Sequence, residues 1–407
     1  MKKNKVLFKT SPLIIFGGGV HQIPYIKYCK KNKISTLVLD QNINCAAKLY
    51  ADYFLNISTP NEESLSVLKA IKKVTQKYKV LGVLVAGVEL AILGSFIAKK
   101  FKTKSISSLV AKNVTNKINR TVKFKKKDVP YANYEIINNL KSLKKNYPYV
   151  VKTEEGSGAR GVRVISSKND LESVKKDFSL MNSPKYLVEE FLKGFEISIE
   201  AFIYKGKFNY YCFAIRDIEI ISNGKIIEHG SVADPQFDKQ KVKQVKKVFE
   251  KACVALGLNE GPAKGDIMFT ESGPKVIEIA SRSAPLAPLI SNKVYNFDMI
   301  STHVKWSMGL KLKFGSKLLD FSKSKPICHK YLFHRKGIIY NINGIEKVNK
   351  LKNVIKLVIL KDLTFPIKLE EPTNTNRLLY VVTTGSNAED AKKNAEISLS
   401  NIKLLYK

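Results

Sequence analysis

Gly265-Asp266-Ile267-Met268-Phe269-Thr270 and Gly273-Pro274-Lys275-Val276-Ile277-Glu278-Ile279-Ala280 are two apolar-rich runs flanking Glu271-Ser272, with Ser281-Arg282 behind them. Such a pattern predicts a β-hairpin. With the turn centred near Ser272, antiparallel pairing sets Asp266 opposite Glu278. Two carboxylates held together are costly unless a cation neutralises them, and hard oxygen donors suit Mg²⁺. Arg282 leaves the second strand at the same end, and the chain has only seven arginines among its 70 basic residues. A surface hairpin with scattered charges would look the same in isolation, so the flanking sequence has to decide.

Upstream, Val188-Glu189-Glu190-Phe191-Leu192-Lys193-Gly194-Phe195-Glu196 reads as a strand ending in acids, a short linker with a glycine, and a second strand opening on another acid. The backbone of such a linker can meet the edge of a base, and a carboxylate just beyond it can accept hydrogen bonds from sugar hydroxyls. Further upstream, the strand Tyr149-Val150-Val151-Lys152 runs into Thr153-Glu154-Glu155-Gly156-Ser157-Gly158-Ala159-Arg160-Gly161 and back into a strand. A glycine-rich turn brings backbone N–H groups and the Ser157 hydroxyl close to phosphates, with Lys152 as a point charge beside them. A strand follows the loop where a Walker motif has a helix, so this is no P-loop.

The first hundred residues alternate strand and helix. Strands are expected at Pro12–Phe16, Ser35–Asp40 and within Val80–Gly87, with helices after Gly17-Gly18-Gly19, near Glu62–Tyr78 and over Glu89–Phe101. This is the pattern of a parallel, doubly wound sheet, in which ligands sit at the carboxyl ends of the strands. Residues 114–149 read as mainly helical, and residues 149–279 as strands and hairpins. The region beyond residue 326 reads as short strands closed by a helix after Asn387. The expected fold is therefore α/β and α+β, in units of about 1–112, 113–325 and 326–407, with a lid subdomain at about 150–190.

A hydrophobic content of 44% excludes wholesale disorder. The lysine-then-apolar N-terminus superficially suggests a signal peptide, but Lys9 and Pro12 interrupt it and Leu13–Phe16 is too short. A cytoplasmic, membrane-free protein is expected. Five dispersed cysteines fit small buried hydrophobes in a reducing compartment. The net charge of +35 raises nucleic-acid binding. However, the lysines are spread along the whole chain without a recognition motif, which favours a solvated basic surface and no specific nucleic-acid partner. Cys328, His329 and His334 read as strand residues rather than a metal cluster.

Taken in order, the three segments resemble the ATP-grasp superfamily, in particular its carbamoyl-phosphate-synthase-like and purine-carboxylase-like branches. The resemblance implies a Rossmann-like preATP-grasp domain, an ATP-grasp core of two α+β subdomains and a small β-rich C-terminal domain. It also implies ATP with Mg²⁺ or Mn²⁺ as cofactors, and an acyl-phosphate route joining a small-molecule carboxylate to an amine or other nucleophile. A homodimer is compatible with it. Lys117, Lys152, Ser157 and Gly158 would then meet the phosphates. Glu189, Glu190 and Leu192 would form the adenine hinge, and Glu196 would bind ribose. Asp266 and Glu278 would hold the metal, with Arg282 and Lys152 acting in catalysis. Gly18, Gly19, His21, Glu89 and His229 would approach the other substrates, His229 as a proton acceptor.

Three departures stand out. Asn116 precedes Lys117 where the family commonly has Asp. Ala280 occupies the place of a metal-binding Asn. Ser283-Ala284-Pro285 replaces the Gly-Gly that often follows the arginine. Alternatives are a catalytically silent ATP-binding regulatory protein and a basic nucleic-acid-binding protein.

Overall fold

The computed structural model describes every residue except 1–9, 77, 141–142, 144–145, 157, 180, 182, 315–323, 362, 365 and 372. Ser157 of the glycine-rich loop and Lys9 of the N-terminal segment thus lie outside the described residues.

The N-terminal unit contains β1 (Pro12–Phe16), α1 (Ile23–Lys31), β2 (Ser35–Asp40), β3 (Tyr53–Asn56), α2 (Leu65–Thr75), β4 (Gly82–Val85) and α3 (Ala91–Lys100). Its four strands are parallel in the order β3-β2-β1-β4. The apolar side chains of β1 and β2 are buried, as strands covered on both faces require. Because the strand order reverses at β1, a crevice opens beyond the carboxyl ends of β1 and β4. Gly17–Gly19 follow β1, and the turn carrying Glu89 follows β4. The Gln22 amide ties the two turns together by donating to the Ala86 carbonyl at 2.6 Å.

Two helices follow, α4 (Ser108–Thr115) and α5 (Lys117–Lys126). Asn116 caps α5, its side chain accepting from the Asn119 N–H at 2.9 Å. The second sheet is built from β5 (Tyr134–Ile137), β6 (Tyr149–Thr153), β7 (Val162–Ile165) and β8 (Tyr186–Glu190), in the order β5-β8-β6-β7. Between β7 and β8, α6 (Lys168–Ser179) buries Leu171, Val174 and Phe178 against Val151 and Val188. Tyr134–Ile137 is a strand inside the stretch read as mainly helical.

The third sheet organises the molecule. Its strands are β9 (Phe195–Tyr204), β10 (Lys207–Ile220), β11 (Ile226–Ala233), β12 (Gly261–Thr270) and β13 (Gly273–Ala280). Helix α7 (Lys239–Ala255) covers one face, and α8 (Ala287–Tyr295) and α9 (Met299–Ser307) follow β13. The C-terminal segment supplies β14 (Ile327–Tyr331), β15 (Gly337–Asn343), α10 (Ile345–Asn349), β16 (Val354–Ile359), β17 (Ile367–Leu369), β18 (Leu379–Thr384), α11 (Ala388–Ser400) and β19 (Lys403–Tyr406). Three of these strands extend the central sheet to the order β13-β12-β9-β10-β11-β14-β18-β16, while β17-β15-β19 form a small sheet of their own. The tail thus continues the central sheet through the β11–β14 pairing.

Side-chain alternation sorts the central sheet into two faces. On β9, Ile197, Ile199, Ala201 and Ile203 pack with Val245, Phe249, Ala252 and Cys253 of α7 in one apolar core. Glu196, Ser198 and Glu200 take the other parity and line a cavity. All five cysteines are free and buried. Among the described residues, no helix is long and apolar enough to cross a membrane.

Candidate active site

The cavity, of about 320 Å³, lies on the face of the central sheet opposite α7, and five of the seven arginines line it. Its floor is built by strand register. Asp266 on β12 pairs directly with Glu278 on β13, and the loop between the strands is closed by Thr270 opposite Gly273. The expected juxtaposition is present, but the turn is centred between Glu271 and Ser272 and a β-bulge between Asp266 and Ile267 brings the pair into register. Arg216, from β10, reaches three carboxylates: Glu196, Glu228 at 3.2 Å and Asp266 at 3.3 Å. The Lys264 ammonium donates to both oxygens of Asp266, at 2.6 and 2.5 Å. Burial alone would raise the Asp266 carboxyl, but Lys264 and Arg216 hold it well below the usual range. Glu278 is likewise lowered, burial being outweighed by Arg120, 3.9 Å away, with Lys264 and Lys117 contributing.

One wall is formed by the start of α5 and the β6–β7 hairpin. Lys117 is 4% exposed, and its ammonium donates to the Gly156 carbonyl at 3.1 Å. Burial lowers its pKa to about 8, against the pull of Glu278. A further clasp joins Asn116 to the hairpin, its amide donating to Glu154 at 2.7 Å. The glycine-rich loop closes where Thr153 N–H donates to Gly161 O at 2.8 Å. A Cβ on Gly161 would lie 2.1 Å from the Thr153 hydroxyl oxygen, and its φ is +72°, so glycine is required there. Lys152 forms a buried ion pair with Glu189 at 2.5 Å.

The opposite end joins the N-terminal unit to the centre. The Arg282 guanidinium donates through Nε to Glu89 at 2.6 Å and again through a terminal nitrogen. Burial opposes the Arg282 charge, but Glu89 and then Glu278 and Asp266 keep it firmly protonated. Glu200, on β9, is buried. Its Oε1 accepts from the Ala284 N–H at 3.1 Å. From the C-terminal strands come His329, whose Nδ1 meets the Ser231 hydroxyl at 2.9 Å, and Arg377. Arg377 donates to the Glu228 carbonyl at 2.7 Å and stacks on Tyr331. Burial keeps His329 neutral, with its pKa lowered to about 4.

Of the residues singled out from sequence, Lys117, Lys152, Gly158, Glu196, Asp266, Glu278, Arg282 and Glu89 line this one cavity. Glu189, Glu190 and Leu192 are not among its lining residues. Glu189 holds Lys152, and Glu190 is tied to Lys275 at 2.7 Å and to the Asn133 amide at 2.9 Å. Gly18, Gly19 and His21 lie in the crevice of the parallel sheet. The Gly18 N–H donates to Asp40 at 2.6 Å, and the His21 ring stacks 6.1 Å from Tyr380. Burial, then Lys356, lowers the His21 pKa to about 4. His229 is turned away from the cavity, pairing with Glu219 at 2.6 Å against the Phe333 ring. His334 bonds the backbone carbonyls of Arg335 and Asn376 and joins no cluster.

Sequence reasoning missed Arg120, Arg216, Glu200, Glu228, Lys264, His329 and Arg377. A signal was present in the scarcity of arginine. In a chain that uses lysine for its surface, each arginine marks a place where a planar, multiply donating cation is needed.

The donor set can be tested against a divalent cation. Among the described residues, no three His, Cys, Asp or Glu side chains could hold a metal by themselves. Asp266 and Glu278 are two oxygen donors on adjacent strands, which suits Mg²⁺ that takes one or two carboxylates and completes its shell with phosphate and water. The residues fit the ion, although Ala280 offers no side-chain donor.

Residues 114–284 match the ATP-grasp domain family. An uncharacterised protein of Sinorhizobium fredii, y4rH, is 26% identical over 261 residues, 60% of this chain and 50% of that protein. The chain therefore spans about half the length of this curated relative. The L-amino acid ligase from Bacillus licheniformis superposes with a TM-score of 0.82 at 15% identity, covering 98% of this chain and 100% of that one. The phosphoribosylglycinamide synthetase from Anaerococcus prevotii gives 0.74 at 18%, with 98% and 100% covered. A carboxyaminoimidazole ribonucleotide synthase from Aspergillus clavatus, complexed with ATP, gives 0.72 at 15%, with 96% and 98% covered. At such identities the likeness is one of fold.

Proposed function

We propose that this chain, whose residues 114–284 match the ATP-grasp domain family, activates a small carboxylate with ATP and transfers the acyl group to an amine. The observation that supports this reading is the meeting of Lys117, Lys152, Asp266, Glu278 and Arg282 on one cavity, although they come from three separate segments of the chain.

In the first step a substrate carboxylate oxygen attacks the γ-phosphorus of ATP, forming an acyl-phosphate and releasing ADP. Lys117 and Lys152 offset charge on the phosphates, and the hairpin that Lys117 touches at Gly156 closes over them. Asp266 and Glu278 would hold Mg²⁺ or Mn²⁺, which supplies further positive charge to the β and γ phosphates. In the second step an amine displaces phosphate from the acyl carbon. Arg282, held in place by Glu89, offsets the oxyanion of that step.

The test is ADP release and hydroxamate formation with hydroxylamine, screened over the proteinogenic L-amino acids, short dicarboxylates and bicarbonate. Wild type should release ADP with at least one acid, and Glu278→Gln should lower that rate by roughly 100-fold or more, as loss of one charge-stabilising group in a site of this kind does. Wild-type rates in Glu278→Gln would sink the site assignment. ATP binding without ADP release for any acid would favour a silent regulatory protein, the reading that Ala280 motivates.

A further inference from the structure

Six carboxylates face the cavity. Five are held by the lysine and arginine partners described above. Glu200 is the sixth, and among the described residues no cation is paired with it. It lies mid-strand on β9, between Cys212 of β10 and Lys264 of β12, and is 5% exposed. Oε1 is satisfied by the Ala284 N–H, but Oε2 is buried with no hydrogen-bond partner. Lys264, its cross-strand neighbour, directs its ammonium to Asp266 instead.

An unmet oxygen on a buried carboxylate carries a desolvation penalty until a donor reaches it. The penalty is visible in the Glu200 carboxyl, which burial pushes up to about 8 even though Lys264 and Arg282 pull it down. With no cation paired to it, the carboxyl is held largely as the neutral acid near pH 7, and no residue on the neighbouring strands hydrogen-bonds Oε2. A neutral alcohol would supply a hydrogen bond alone. A primary ammonium supplies both a donor and the countercharge that ionises the group, its proton passing to solvent.

We propose that Glu200 binds the ammonium group of the second substrate through Oε2, so that the acceptor is a primary amine admitted as its cation. The proposal rests on the ligase reading above and narrows its acceptor.

The test compares two nucleophiles on the same activated acid. Wild type and Glu200→Gln are assayed with ATP and the acid selected by the hydroxamate screen. The nucleophiles are hydroxylamine, which is uncharged near neutral pH, and cationic amines, namely methylamine and the proteinogenic L-amino acids. In Glu200→Gln the ratio of amide to hydroxamate formation should fall by about tenfold or more, carried by a rise in KM for the amine; tenfold corresponds to about 1.4 kcal/mol of lost contact. Glu200→Asp, which keeps the charge and shortens the reach, should recover part of the ratio and serves as the readout where the glutamine variant does not fold. An unchanged ratio overturns the proposal. So does wild-type enzyme that makes hydroxamate but no amide with any of these amines. If wild type makes no hydroxamate with any acid, the ligase reading fails first and this one falls with it.

Discussion

At the scale of single residues, the site depends on Arg216, which lies among Glu196, Glu228 and Asp266. Burial would raise the Glu228 carboxyl, but Arg216 and then Arg377 hold it at about 2. A carboxylate whose folded pKa lies below its unfolded value contributes stability that is complete above the unfolded pKa. That contribution is lost as pH falls through the folded value. For Glu228 the window runs from its ordinary value of 4.5 down to about 2. Arg216→Met removes the common partner of three carboxylates. Breaking a buried pair from one side costs about 3–5 kcal/mol, because the remaining charge stays buried. Denaturant unfolding should show that deficit at neutral pH. The gap to wild type should narrow as pH falls, first as the orphaned carboxylates, raised by burial, protonate in the variant, and then below pH 4.5 as Glu228 protonates in wild type. A gap that stayed constant down to pH 2 would mean that these pairs do not stabilise the fold.

Among the elements, the linker between β8 and β9 is tightly constrained. Gly194 has φ +151°, and a Cβ there would sit 2.1 Å from the Phe269 carbonyl oxygen at the end of β12. Gly194→Ala must therefore shift the linker or β12, at a cost of about 1–3 kcal/mol for a residue forced into a sparsely allowed backbone region. Gly206→Ala is the control, since its φ is also positive (+73°) but its Cβ would meet nothing within 4 Å. If the linker is the adenine hinge, KM for ATP rises in Gly194→Ala and stays near wild type in Gly206→Ala. Equal KM values in the two variants would remove the hinge from nucleotide binding. The sequence made this linker, the β12–β13 hairpin and the strands β1 and β2 readable, because each is a local pattern of apolar runs bounded by glycine, acid or proline. Tyr53–Asn56 and Tyr134–Ile137 escaped, being four residues long with only partly buried side chains. Arg216, Glu200 and Lys264 escaped for a different reason. On an alternating strand a charged residue reads as facing solvent, and only the pairing of β9, β10 and β12 shows that this face is the cavity floor. The β11–β14 pairing joins residues about a hundred positions apart, so the continuity of the tail with the central sheet has no local signature.

For the molecule as a whole, the excess of positive charge lies outside the site. Eight lysine and arginine side chains line the cavity against six carboxylates, whereas the whole chain carries +35. The two populations should respond to salt differently. Exposed charges separated by more than a Debye length, roughly 10 Å at 0.1 M salt, are largely screened, but buried pairs are screened much less. If the surface charge serves to attract ATP, kcat/KM for ATP should fall as salt rises while kcat holds, because steering acts on encounter and not on the bound state. If kcat fell in parallel, the salt-sensitive charges would be those of the cavity itself. The same titration separates the nucleic-acid alternative. Binding through phosphate contacts alone weakens by about 10³-fold or more between 50 and 200 mM salt when six or more phosphates are neutralised. A basic surface without a reading element should therefore release DNA at physiological salt, and ATP should have no bearing on that release. Binding that persisted there and that ATP left unaffected would instead favour the nucleic-acid reading.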